Sequence, residues 1–258
     1  MNNTIEVIMN RRSIRAYSDE LITDDEKKKI LEATLRAPTA GNMMLYSILE
    51  IESQELKTRL SDTCDHQPFI AKAPWVLLYL ADFQRLYDYF ETCEVARRCR
   101  ELGKEFRKPG AGDLILACCD ALIAAQTTVL AAESVGIGSC YIGDILENYE
   151  IHRDLLKLPP YVLPTAMLCL GHPARELSEK TRSPRFDREF IVHKDTYKRF
   201  NRDDFKRMYA LLEPPTTAPR RYFMDSENLG QSIYLRKTGA EFSFEMIRSV
   251  KAMLENWS

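Results

Sequence analysis

A chain of 258 residues, 45% hydrophobic and 29% charged, carries enough apolar material for a buried core. That composition excludes a disordered tail, a collagen-like chain and a membrane protein. The 36 Lys and Arg residues stand against 38 Asp and Glu, a formal net charge of −2, and a dedicated nucleic-acid binder needs a basic excess that is missing here.

The opening residues MNNTIEVIMNRRS hold no apolar stretch of signal-peptide length, so no export is expected. A first helix is predicted from about Thr4 to Asn10, with Ile5, Ile8 and Met9 on one face and Asn3 or Thr4 as its cap. The polar stretch Arg11-Arg12-Ser13-Ile14-Arg15 follows. Thr23-Asp24-Asp25-Glu26 is a capping box that opens a helix with Ile30, Leu31 and Leu35 on its apolar face. Pro38 is expected to end it, because the residue before a proline avoids helical geometry. A loop, Pro38-Thr39-Ala40-Gly41-Asn42, leads to a strand from Tyr46 to Ile51.

The apolar run from Pro74 to Ala81 suits a strand covered on both faces. Residues 85–106 are charged and helical in pattern. Pro109 to Gly112 is a loop, Asp113 is expected to cap the long helix after it, and Gly136 to stop that helix. The helix is apolar almost all the way round, which predicts central burial or sharing with a partner subunit. It is long enough to span a bilayer, but Asp120, Gln126 and Glu133 make a soluble helix the better reading. A strand is predicted over 137–143, a helix over 149–158 and a strand over 162–171. Phe190-Ile191-Val192-His193 reads as a short strand. Residues 213–219 form a loop or linker, and patterning is weak up to about Gly239. A last amphipathic helix, about Ser243 to Trp257, presents Phe244, Ile247, Met253 and Leu254. Strands and helices alternate, yet the strands are too few for a large doubly wound sheet, so the class is α+β with one central sheet.

The chain has 7 cysteines, an odd number without a C-x-x-C pair, which points to reduced thiols in a cytoplasm. Cys140 and Cys169 sit in apolar runs as core residues. Cys64 and His66 are near enough in sequence to suggest a nucleophile and base, but no other feature of a cysteine hydrolase accompanies them. There is no triphosphate-binding loop, dinucleotide fingerprint, H-E-x-x-H or G-x-S-x-G. His66, His152, His172 and His193 lack ligand spacing, so no metal site is expected. Two basic clusters remain: Arg11, Arg12, Ser13 and Arg15, and Lys180-Thr181-Arg182 with Arg185. Guanidinium groups and a hydroxyl suit a phosphate dianion; taken singly, each cluster also suits a solvated face.

In order, the segments resemble the FMN-dependent nitroreductase family. Arg11-Arg12-Ser13-Ile14-Arg15 is similar to R-R-S-x-R, and Ala37-Pro38-Thr39-Ala40-Gly41-Asn42 to A-P-[ST]-x-x-N. Asp120 to Gln126 is similar to D-x-x-x-A-x-Q, and Leu130 to Gly138 to L-A-A-E-x-L-G-L-G. Tyr141-Ile142-Gly143 and Leu168-Cys169-Leu170-Gly171-His172-Pro173 complete the set, which covers about residues 1–200. His66-Gln67-Pro68-Phe69 and Lys180-Thr181-Arg182 resemble the flavin reductase P and larger nitroreductase branch.

The resemblance implies a central mixed β-sheet flanked by helices and FMN at a homodimer interface. It implies an FMN-binding domain over 1–200, with 201–258 as a C-terminal extension in the same domain or the dimer interface, packing on the partner subunit. Arg11, Ser13, Lys180 and Arg182 would hold the phosphate, joined by Arg12, which also suits the ribityl chain. Arg15 would face the pyrimidine edge as an electrostatic stabiliser. Thr39, Ala40, Asn42 and Gln67 would line the ring or its sugar chain, and the backbone of Ile142, Gly143 and Asp144 would pass near N5. No side-chain nucleophile is expected. The implied activity is hydride transfer from NADPH or NADH through FMN to a small nitroaromatic, quinone or flavin acceptor. A flavin-binding sensor or carrier, and dehalogenating or flavin-cleaving chemistry, are alternatives that fold resemblance leaves open.

Departures mark particular positions. Many members carry Gln near the position of Met44. The branch often reads Y-I-G-G, where Asp144 replaces the second glycine; a carboxylate there faces the substrate side of the flavin or caps the next helix. The branch often places basic residues near the C-terminus for the 2′-phosphate of NADPH, and Arg220, Arg221, Arg236 and Lys237 are candidates. Asp120 and Gln126 also read as satisfied polar groups of a buried helix, and Tyr141 as core or cofactor wall.

Overall fold

Four strands, β1 (Tyr46–Glu50), β2 (Trp75–Asp82), β3 (Gly138–Ile142) and β4 (Val162–Gly171), form one sheet in the order β1-β2-β4-β3. The computed structural model describes residues 3–175, 183–213 and 222–257. Eleven α-helices occur among these residues: α1 (Asn3–Asn10), α2 (Asp24–Thr34), α3 (Gln54–Thr63), α4 (Pro68–Lys72), α5 (Gln84–Thr92), α6 (Val95–Glu101), α7 (Ala111–Ser134), α8 (Tyr149–Leu156), α9 (Arg202–Tyr209), α10 (Leu229–Arg236) and α11 (Glu241–Trp257). The chain divides into two compact units, residues 1–176 with 244–258, and residues 177–243.

The period-two alternation of strand side chains sorts the core into two layers. Trp75, Leu77, Tyr79, Leu168 and Leu170 pack with α2 and α7. Val76, Leu78, Leu80, Met167 and Cys169 pack on the opposite face with Leu60 and Ile70 of α3 and α4. Every residue of β2 is buried, as its unbroken apolar run requires. The class and the central sheet are as the sequence implies, but all three ladders are antiparallel rather than mixed. The connection from β3 to β4, residues 143–161, brings the chain back in at the end where β3 stopped, so that β4 runs antiparallel to it.

The Thr23 capping box forms as expected: Thr23 N–H donates to Glu26 Oε2 at 2.8 Å, and Glu26 N–H to Thr23 Oγ1 at 3.3 Å. The helix it opens stops at Thr34, before Pro38, and Leu35 points outward at 61% exposure. Asp113 is not the cap of α7 but its third residue, accepting from Gly110 N–H at 2.8 Å. The sheet-facing side of α7 is mostly alanine, with Ala117, Ala121, Ala124, Ala125 and Ala132 fully buried. Its other side leaves Ile115, Leu116, Leu122 and Ile123 exposed, so burial is one-sided. Among the described residues α7 alone is long and apolar enough to cross a membrane.

Phe190 to His193 do not form a strand. Arg188–Phe190 is a 3-10 turn, drawn in by ring packing of Phe190 on Phe200 at 5.7 Å. The last helix starts two residues earlier than expected and turns most of its expected apolar face outward: Phe244, Ile247 and Leu254 are exposed. Its inward residues are Ser249, Met253 and Trp257, and Trp257 Nε1 donates to Gly110 O at 3.2 Å. Helices α3, α4, α9 and α10 occupy segments for which the sequence pattern predicted none.

A strap of residues 13–17 meets the open edge of β3 at Ser139 and crosses to Pro173 beyond β4. Ser13 bridges Ser139 in parallel sense and Tyr17 bridges Pro173 in antiparallel sense. Ile14 N–H donates to Ser139 O at 2.9 Å, and its side chain presses onto Gly138, where a Cβ would lie 2.4 Å from Ile14 Cγ1 and 3.1 Å from Ile14 Cβ. Ile14 is β-branched and stiff, so it cannot swing aside. Gly138→Ala is therefore expected to destabilise the fold by about 1–3 kcal/mol, read as a lower midpoint in urea unfolding; an unchanged midpoint would show that the strap is not seated this way.

Candidate active site

Alternation along the strap decides which side chains it presents. Ile14 points into the core, so Ser13 and Arg15 point out and are exposed, while Arg11 and Arg12 are half-buried. Arg11, Ser13 and Arg15 thus stand at the β3 edge, near Cys140. The Arg15 guanidinium carbon lies 5.8 Å from the centre of the Phe69 ring, a cation–π contact that orients it. Phe69 belongs to α4, whose N-cap is Gln67.

Gln67 joins this edge to the turn after β3. Its amide Nε2 donates to Asp144 Oδ2 at 2.7 Å and to Cys64 O at 2.9 Å. Ile142 is buried at the end of β3, Gly143 is exposed, and Asp144 opens a 3-10 turn, Asp144–Leu146. The turn is braced from below. His152, fully buried, bonds Ile145 O at 3.0 Å and Thr63 Oγ1 at 2.8 Å. From α11, Glu245 accepts from Asn148 N–H at 3.1 Å and Ser249 from Tyr149 N–H at 3.1 Å.

The structure therefore brings Arg11, Ser13, Arg15, Gln67, Ile142, Gly143 and Asp144 to one edge of the sheet, and Arg12 is half-buried next to them in the chain. Thr39, Ala40 and Asn42 lie elsewhere. Their loop hangs on Asp120 of α7, which is 2% exposed and accepts from Ala40 N–H at 2.9 Å and Leu45 N–H at 3.0 Å. Asp120 is thus a satisfied structural group that fixes the loop; Gly41, Asn42 and Met44 take left-handed backbone at φ 55°, 56° and 50°. Arg11 acts on Glu133, thirteen residues further along α7, about 20 Å of axis from Asp120. Lys180, Arg182, Arg220 and Arg221 lie outside the described residues. Arg236 and Lys237 end α10 in the other unit.

Some sequence readings are corrected here. Cys64 is fully buried, and burial pushes its thiol far above the usual range, so it is no nucleophile for His66. Gln126 is exposed rather than buried; it accepts from Tyr141 Oη–H at 3.3 Å, and burial pushes the Tyr141 hydroxyl up to about 12. Two carboxyls near the edge were not singled out as candidates. Burial raises Glu133 to about 7 against the pull of Arg11, and Glu147, 4% exposed beneath Asp144, is also raised to about 7. Glu147 stands in a polar sequence context and reads as solvated, and only the packing reveals otherwise.

Known proteins match this arrangement over most of its length. The sequence model of the nitroreductase family matches residues 8–172, which span the strap, the Asp120 loop and the β3 turn. FMN reductase (NADPH) of Bacillus subtilis is 34% identical over 206 residues, 80% of this chain and 78% of that protein. The oxygen-insensitive NADPH nitroreductase of Salmonella typhimurium is 34% identical over 76% of this chain and 75% of that protein. The solved structure of the NfrA1 nitroreductase from B. subtilis superposes over 97% of this chain and 98% of its own, with a TM-score of 0.78 and 28% identity. The family match covers more than half of the chain and the relatives exceed three-tenths identity across most of their length, and on both counts the chain belongs to the nitroreductase family.

Proposed function

We propose that the protein is an NAD(P)H-dependent FMN oxidoreductase that passes hydride equivalents to a small aromatic or quinoid acceptor. The observation that carries this reading is the β3 edge, where the donors of residues 11–15 meet Gln67 and the Gly143 turn. Relatives with printed names such as FMN reductase and NADPH nitroreductase support it. The donor set fits the cofactor: guanidinium groups and the Ser13 hydroxyl match a phosphate ester, and the Gln67 amide matches a polar ring edge.

FMN, when bound, supplies the two-electron chemistry, so the protein needs no nucleophile of its own. Arg11, Arg12 and Ser13 would hold the phosphate, and the resemblance implies Lys180 and Arg182 as further partners. Arg15, steadied on Phe69, sets a fixed positive charge at the pyrimidine edge, where it costs no reorganisation during reaction. The backbone of Ile142, Gly143 and Asp144 would pass near the ring. Thr39, Ala40 and Asn42 line the ring or its sugar chain from a second copy, because their loop stands too far along α7 from the arginines of its own copy.

The reading therefore includes a two-fold homodimer. The exposed Ile5, Ile8 and Met9 of α1, the outer side of α7 and Phe244, Ile247 and Leu254 of α11 offer apolar surface for it. Of residues 201–258, α11 packs on its own chain through Met253 and Trp257; the remainder would pack on the partner, and Arg220, Arg221, Arg236 and Lys237 would serve the 2′-phosphate of NADPH. The 7 free thiols suit a cytoplasmic location.

The purified protein is expected to be yellow, with about one FMN per chain, to bleach on mixing with NADPH or NADH, and to sediment as a dimer. Colourless protein that takes up no added FMN would refute the reading, and bound flavin that neither nucleotide bleaches would mark a carrier. Arg15→Ala is expected to remove a charge-assisted contact of about 1.5–3 kcal/mol and so lower the two-electron midpoint potential by about 30–60 mV. Lys180→Ala weakens binding and leaves the potential nearly unchanged. Equal potentials in both variants and the unmodified protein, all loaded with excess FMN, would rule out the role given to Arg15.

A further inference from the structure

Helices α5 and α6 form an arm without a buried residue in either helix, bent between them at Glu94 in left-handed backbone with φ 53°. Its root lies at the end of the sheet that carries the Gly143 turn. β2 and β3 both run antiparallel to β4, so Asp82, two residues before α5, and Ile142 finish their strands at that same end. The Arg85 guanidinium ties α5 to the loop before β1: it donates to Met44 O, to Tyr46 O at 3.2 Å and to Ser47 Oγ at 3.3 Å. The arm is thus fastened next to the loop that carries Thr39, Ala40 and Asn42.

From Val95 to Lys108 the chain carries six Arg and Lys residues against Glu101 and Glu105, a net +4 where the whole chain has −2. All six cations are exposed. Three are paired: Arg97 with Glu94 at 2.7 Å and Glu101 at 2.6 Å, Arg98 with Glu101 at 3.2 Å, and Arg107 with Asp113 at 2.5 Å. Arg100, Lys104 and Lys108 have no ion pair among the described residues. A cation in the last turn complements the helix dipole, which accounts for Arg100. It does not account for Lys104 and Lys108, which lie beyond the helix on backbone that is held in place. Lys104 N–H donates to Cys99 O at 2.8 Å, Phe106 stacks on Tyr87 with ring centres 5.8 Å apart, and Gly110 O accepts from Trp257. Unpartnered like charges on a fixed frame repel one another and add nothing to the fold; what they supply is a field.

We propose that the α5–α6 arm and the segment up to Lys108 form a basic collar that steers anionic nucleotides to the site lined by the Thr39 loop, and that Arg100, Lys104 and Lys108 make it favour NADPH over NADH. The proposal rests on the flavin oxidoreductase reading, which places that loop on the ring. The 2′-phosphate distinguishes the two reductants by about 1.5–2 negative charges. Steering needs no contact between these side chains and the nucleotide, because the field of an exposed charge reaches about 10 Å at 0.1 M salt. It acts on the rate of encounter and fades as salt rises. A neutral acceptor gains nothing from it, so the collar separates the two substrates of the cycle by charge.

The test measures the second-order rate at which NADPH, and separately NADH, bleaches the flavin of the holoenzyme between about 0.01 and 1 M salt. For the unmodified protein the NADPH rate should fall roughly tenfold across that range, and the NADH rate by less. A triple variant, Arg100→Gln with Lys104→Gln and Lys108→Gln, should lose roughly tenfold with NADPH at low salt, less with NADH, and nothing at high salt. Glu105→Gln removes the opposing charge and should speed NADPH at low salt. These side chains are exposed, so every variant should unfold at the midpoint of the unmodified protein. NADP+ cannot reduce the flavin, and its association, followed by flavin fluorescence, should show the same salt dependence without any chemistry. Bleaching by NADPH that ignores salt, which needs no variant to observe, would overturn the proposal. So would equal losses with NADPH and NADH in the triple variant, or a loss that persists at high salt. Failure of both nucleotides to bleach the bound flavin would instead remove the oxidoreductase reading itself.

Discussion

The strap against β3 is the contact on which the site depends. Ile14 can reach the core because Gly138 leaves space for it, and once Ile14 is fixed, strand alternation throws Ser13 and Arg15 to the outside. The rest of the edge inherits this register. Phe69 meets the Arg15 guanidinium, and β3 delivers Gly143 and Asp144 at its end. Position at the edge is thus set by close packing of apolar groups, and the charged groups take their places from it. A guanidinium held by an aromatic ring and a stiff backbone can act as a fixed field. A guanidinium on a loose loop would spend part of its interaction energy on ordering itself.

Much of this was legible in the sequence, for physical reasons that differ from element to element. The α2 capping box showed because Thr23 and Glu26 satisfy each other locally. β2 showed because a strand covered on both faces reads as an unbroken apolar run, and β4 because its run breaks only at Pro164 and Thr165. Gly136 showed because it takes φ 82° at the end of α7. What failed to show depends on distant partners. Helix α3 is polar, and its buried Lys57 is explained only by the Ala73 carbonyl that its Nζ meets at 3.1 Å. Phe190 to His193 have the composition of a strand, but Phe200 claims the first of them. Helices α9 and α10 have 8 residues each, about two turns, too few for an apolar stripe to repeat.

The site divides in the same way. The arginines, Ser13 and Gln67 are visible through motif order. Asp120 was visible as a residue, but its task of anchoring the loop through Ala40 and Leu45 is not. Glu147 is the clearest case of information held only in the fold. In sequence it is one acid among 38 acidic residues; in the structure it is a buried acid with another carboxyl for a neighbour.

The strap also bears on the order in which the chain comes together. Residues 13–17 are made first, yet their seat on Ser139 and Pro173 is not synthesised until more than half of the chain has followed. Closing so long a loop is entropically slow. Until it closes, the β3 flank presents unpaired backbone amides and carbonyls to any passing strand. Seated at Ser139, the strap covers part of the edge at which two nascent copies could otherwise pair.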